Sequence, residues 1–79
     1  MDIELRFFAA ARAAAGTHSV HVKPTQLSLI LNQLCAENSE LARVIPQCSF
    51  LLDSLAVHDL DIQVEAGSVI DVLPRFAGG

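Results

Sequence analysis

Three histidines, two cysteines and a closing pair of glycines are the residues of this sequence whose types and spacing invite chemistry. His18 and His21 form H-x-x-H, which on a helix would offer two imidazoles to one metal. Here Val20 and Val22 alternate with Ser19, His21 and Lys23, the pattern of a strand, and an offset of three then puts the two rings on opposite faces. No metal is expected. His58 stands beside Asp59 in a turn and reads as a surface residue. Cys35 and Cys48 lack C-x-x-C spacing and supply neither a zinc site nor the ligands of an iron–sulfur cluster, so both read as core thiols of a reducing compartment. No Ser or Cys has a His and an acid at a motif spacing, no glycine-rich phosphate loop exists, and no carboxylate pair stands out. The body of the chain offers no active site.

The end, Arg75-Phe76-Ala77-Gly78-Gly79, is different. Chain ends fray and tolerate small residues. Two consecutive glycines at an end nevertheless occur by chance in roughly one chain in two hundred, which favours a reason for them. A segment without Cβ atoms is thin and adopts almost any backbone conformation, so it can thread a narrow channel against another protein's backbone. The Gly79 carboxylate would then be an unhindered acyl group. A carboxylate is a poor electrophile and needs activation first, typically as a mixed anhydride with AMP. A body without catalytic groups and an end shaped for insertion describe a carrier. Phe76 can anchor the end in a partner's pocket, where one ring contributes a large share of binding, or fold back over Phe8 or the sheet edge. Arg75 can pair with a partner's acid or be solvated.

The elements that must position this end follow from periodicity. Ile3, Leu5 and Phe7 alternate with Asp2, Glu4 and Arg6, a strand with one face on a core, which leaves Phe8 outward. AAARAAAG predicts a loop with one turn of helix, stopped by Gly16. His18 to Lys23 closes a first hairpin before Pro24. Thr25 is the expected cap of a helix whose Leu27, Ile30, Leu31, Leu34 and Cys35 make one apolar stripe, with Asn38 as a left-handed stop. Ser39 to Ile45 predicts a short turn or helix ended by Pro46. A third strand runs from Cys48 to Leu52, and Asp53 and Ser54 turn the chain. Ile62 and Val64 suggest a short strand before a turn at Gly67. Val69 to Leu73 is apolar on both faces apart from Asp71, as suits a strand with neighbours on each side, and Pro74 ends it. The expected architecture is α+β: a mixed β-sheet with one main helix packed on one face.

Composition bounds the rest. At 79 residues, with 52% apolar and 18% charged, the chain is one domain that folds. Residues 1–79 are expected to form a single domain, with 75–79 as a flexible tail. Nine acids face five scattered basic residues, a net charge of −4, which argues against nucleic acid as a partner. The longest apolar run is too short to span a bilayer and MDIELRFF has no basic export cluster, so a cytoplasmic protein is expected.

The strand–hairpin–helix–strand order and the ending LPRFAGG resemble the ubiquitin-like β-grasp sulfur carriers over nearly the whole chain. Within them, RFFAAARAAAG resembles the small subunit of molybdopterin synthase. The resemblance implies a cycle. An adenylating enzyme related to ubiquitin-activating enzymes uses ATP and Mg²⁺ to form an acyl-adenylate at Gly79, and a sulfurtransferase replaces AMP with sulfur to leave a thiocarboxylate. The large subunit of the synthase then accepts the tail, in a heterotetramer, and passes the sulfur to cyclic pyranopterin monophosphate in molybdenum cofactor biosynthesis. The chain itself binds no cofactor in this reading. Gly79 is the modified residue, and Arg75, Phe76, Ala77 and Gly78 are the tail that partners grip. Carriers for thiamine or cysteine synthesis, and ubiquitin-like modifiers, are the alternatives.

Overall fold

A computed structural model describes residues 1–75. In chain order the elements are β1 (Ile3–Phe7), α1 (Ala9–Ala15), β2 (Ser19–Val22), α2 (Leu27–Glu37), α3 (Ser39–Val44), a 3-10 turn (Ile45–Gln47), β3 (Cys48–Leu52), β4 (Leu55–Val57) and β5 (Val69–Pro74). The strands form one 5-stranded sheet in the order β2-β1-β5-β3-β4. β1 runs parallel to β5, and the other neighbours are antiparallel. The last strand therefore occupies the centre, as its two apolar faces predict, and it extends through Pro74, opposite Cys48.

Alternation in β1 becomes burial: Ile3, Leu5 and Phe7 are sealed together with Ile70 and Val72 of β5 and Phe50 of β3. The stripe of α2 covers them through Leu27, Ile30 and Leu31, with Leu34 and Cys35 half-buried at its margin. Ala11 of α1 and Leu41 of α3 complete the same core.

Local structure departs from expectation at four places. AAARAAA is a seven-residue helix and not a single turn. Ala11 is fully buried, Gly16 (φ 75) closes the helix in the left-handed region, and Arg12 ties it to β1 by donating from Nε to the Phe7 carbonyl at 3.2 Å. Packing thus sustains a helix too short to persist alone.

Thr25 is not the cap of α2. That position is Gln26, which makes no side-chain cap, and the amides of Leu27 and Ser28 donate instead to the carbonyls of Ile62 (3.0 Å) and Leu60 (2.6 Å). Asn38 is extended (φ −145) and not left-handed. It ends α2 and caps α3, its Oδ1 accepting from the amides of Glu40 and Leu41 while Nδ2 donates to the Ala14 carbonyl. Finally, Ile62 and Val64 form no strand; Gln63 makes a single bridge to Gln26, and Val64 plugs the core from a loop. The short strand is β4, paired with β3 across the Asp53-Ser54 turn.

Candidate functional site

β5 points the chain toward the segment that the sequence marks for chemistry. Its register along β1 and β3 fixes it on both edges, and the Arg75 amide donates to the Gln47 carbonyl at 3.0 Å, so the backbone is held one residue beyond the strand. Arg75 is exposed. It borders a hollow of about 270 Å³ shared with Leu51, Ala56, His58 and Leu60. Phe76, Ala77, Gly78 and Gly79 lie outside the described residues, so of the predicted tail the structure places Arg75 alone.

Cys48 lies at this same end of the sheet, opposite Pro74. It is buried, its Sγ donates to the Val44 carbonyl at 3.3 Å, and burial pushes the thiol pKa up from its ordinary value. A thiol held protonated is a poor nucleophile. Cys35 is half-buried against the core, and both thiols are free. These environments match the reading of the cysteines as core residues.

The histidines do not converge. His21 is exposed on β2, His18 precedes that strand, and His58 is exposed after β4. Among the described residues no group of three or more His, Cys, Asp or Glu side chains is placed to hold a metal ion. None of the helices there is long and apolar enough to cross a membrane.

The sheet's other face carries a feature the sequence did not reveal. Arg6 of β1 and Asp71 of β5 lie side by side in the parallel ladder and form a two-pronged ion pair, Nε to Oδ1 at 2.6 Å and Nη2 to Oδ2 at 3.0 Å. Hydrogen bonding to Asp71, reinforced by its charge, holds the Arg6 guanidinium pKa above its ordinary value. Asp71 is the one buried charged residue among those described, and Arg6 covers it while staying half-exposed to water. The partners are 65 positions apart, and only the β1–β5 register brings them together. An aspartate inside an otherwise apolar strand was the available signal, with no indication of which cation would meet it.

A single helix-covered sheet with a parallel central pair defines the class as ubiquitin-like β-grasp, and solved structures agree. The HVO 2177 protein of Haloferax volcanii is similar at 27% identity with a TM-score of 0.82, over 100% of this chain and 87% of that one. SAMP1, the small archaeal modifier protein 1 of Methanosarcina acetivorans, shares the fold at 20% identity and a TM-score of 0.85, over 99% and 96%. So does the complex of subunits 1 and 2 of the molybdopterin-converting factor from Helicobacter pylori, at 24% identity and a TM-score of 0.75, over 100% of both chains. No curated protein sequence matches. The ThiS family model matches residues 5–79, and the chain belongs to that family of ubiquitin-like sulfur carriers.

Proposed function

We propose that this chain is the sulfur-carrier subunit of molybdopterin synthase and that Gly79 is its working end. One observation carries the reading: the central strand holds its backbone to Arg75, and the family match continues through Gly78 and Gly79. The body supplies docking surface and the partners supply the chemistry. An activating enzyme joins the Gly79 carboxylate to AMP, releasing pyrophosphate from ATP held with Mg²⁺. A sulfurtransferase's persulfide sulfur attacks the acyl carbon and expels AMP, and a second thiol then cleaves the S–S bond, forming a disulfide on the transferase and leaving the thiocarboxylate. In the large subunit that sulfur leaves for cyclic pyranopterin monophosphate, and water restores the carboxylate. The likeness to the Helicobacter pylori complex of subunits 1 and 2 supports a large-subunit partner. Arg75 and the hollow beside it would lie at the mouth of the partner's channel, with Phe76 and Ala77 gripped inside.

The test is accurate mass measurement of the protein from its native host together with reconstitution. The terminal peptide should carry sulfur in place of one oxygen, and removing Gly78 and Gly79 should abolish molybdopterin formation while Cys35→Ala and Cys48→Ala leave it intact. Loss of thiamine or cysteine synthesis instead, on deleting the gene, would reassign the pathway and keep the chemistry. The likeness to the small archaeal modifier protein 1 favours a second reading, a protein modifier, which predicts isopeptide adducts on target lysines and no stable thiocarboxylate.

A further inference from the structure

Four of the five basic residues are arginines, and Lys23 is the single lysine of the chain. Lysine is among the commonest residues of globular proteins, and the two cations differ in chemistry. A lysine amine that loses its proton attacks an activated carbonyl, whereas a guanidinium keeps its proton at any physiological pH and is no nucleophile. Where each cation stands therefore decides what an activated acyl end meets first.

The sheet register places them. Arg75 follows the end of β5, and Arg12 stands at the same pole, its Nε donating to the carbonyl of Phe7, which pairs with Val72. Both arginines are exposed. Lys23 follows Val22, which pairs with Ile3 at the opposite pole, level with the residue before Val69. From that level to Arg75 is about 25 Å, some seven residues along β5 and two strand spacings across. The four residues after Arg75 span at most about 14 Å when fully extended. That reach takes in Arg12, roughly 11 Å away by the same spacings. It does not take in Lys23, even with the four-carbon stem of the lysine added. Met1 lies at the far pole too, since the Asp2 carbonyl accepts from the Gly67 amide before β5 begins, so an α-amine there is equally remote.

Given the activation of Gly79 proposed above, we propose that Arg75 and Arg12 are selectivity residues for the acyl end: they supply positive charge within the reach of the tail and no amine, which leaves the activated carbonyl to sulfur. A lysine in either place would consume the acyl group. Its amine nitrogen would bond to the Gly79 carbonyl carbon, AMP would leave, the proton of the amine would pass to solvent, and the tail would close on itself as an amide that a sulfur donor does not reopen. The charge stays available to partners, because a guanidinium pairs with carboxylates in two-pronged geometry.

The full chain prepared as a C-terminal thioester by intein cleavage tests this without an activating enzyme, so the outcome is separate from the mass of the native protein that decides the carrier reading. Wild type, Arg75→Lys and the exposed far-pole control Glu65→Lys are compared in dilute solution at about pH 8.5, where a lysine amine is partly unprotonated. Arg75→Lys should lose its thiol and become a cyclic amide, one water lighter than the free acid. It should do so at least about tenfold faster than either other chain, because a short tail holds amine and carbonyl at high effective concentration. Wild type and Glu65→Lys should hydrolyse to the acid, and peptide mapping locates any new bond. The proposal is overturned if Arg75→Lys gives no more cyclic amide than Glu65→Lys, or if wild type joins Gly79 to Lys23 within one chain.

Discussion

Arg6 and Phe7 are adjacent in β1 and stand on opposite sides of the sheet. On the helix side, Phe7 joins Ile3, Leu5, Ile70 and Val72 in a layer closed to water. On the other side β1, β3 and β5 present Glu4, Arg6, Ser49 and Asp71, which lie outside the core that the described helices join. The difference shows how a carrier body divides its labour. The covered face decides whether the chain folds. The open face bears on stability mainly where it buries a charge, at Asp71.

The largest expected effect tests the covered face. Phe7→Ala should cost about 4 kcal/mol in urea unfolding, since it removes a ring from a closed core and leaves a cavity, a large share of the stability of a domain this small. Cutting the adjacent open-face residue should cost less but unevenly. Arg6→Met strips the partner from a buried carboxylate and should lower stability in the same urea unfolding, by less than Phe7→Ala does. Asp71→Asn leaves a half-exposed guanidinium that water can solvate, and should cost less than Arg6→Met. Equal costs for the two would mean that Asp71 is not the constrained partner.

A third measurement sits between the faces, at the cap that joins the helices. Asn38→Ala should cost about 1 kcal/mol, because one side chain caps α3 and also holds the end of α1 through Ala14. Cys48 should add an alkaline dependence. Its folded-state pKa is raised by burial, so between the unfolded value, near the ordinary 9.0, and the higher folded one, the unfolded chain has released the proton and the native state keeps it. Stability should therefore fall as pH rises through that window, and Cys48→Ala should flatten the decline in unfolding curves taken from pH 8 to about 11.

What was legible in the sequence follows the same division. The covered face announces itself: alternation gave β1 from Ile3, Leu5 and Phe7, and the stripe from Leu27 to Cys35 gave α2. The two-sided apolar run from Val69 placed β5 in the centre. Features that depend on distant contacts stayed hidden. α1 exists because Ala11 is buried against strands far along the chain, and Gln26 needs no side-chain cap because the 60–62 loop supplies carbonyls to α2. β4 escaped notice because Leu55 is 73% exposed and Ala56 is exposed too, so no buried face marks the strand. Ile62 and Val64 imitated a strand because a loop that plugs a core has the same alternation. Of the proposed working end, composition marked Gly78 and Gly79, while the structure shows how the strand that leads to Arg75 is held.

The smallest predicted effect is a gain, and it separates backbone strain from side-chain bonding at the β3–β4 turn. Asp53 (φ 48) and Ser54 (φ 73) both sit in the left-handed region, as a two-residue hairpin turn of this hand requires. Their side chains differ in use. Asp53 Oδ1 accepts from the Val69 amide at 2.9 Å, and its own amide donates to the Val69 carbonyl at 2.9 Å, fastening the hairpin to the start of β5. The Ser54 hydroxyl makes no hydrogen bond among the described residues. Ser54→Gly should therefore relieve strain at no cost in contacts and stabilise by about 0.5 kcal/mol after the added freedom of the unfolded chain is subtracted. In calorimetry that is a rise of about 3 °C in Tm. Asp53→Gly relieves similar strain but gives up the carboxylate's bond to Val69, so it should lower Tm. A rise in both variants would show that backbone strain alone governs the turn and that the carboxylate contributes nothing to holding β5.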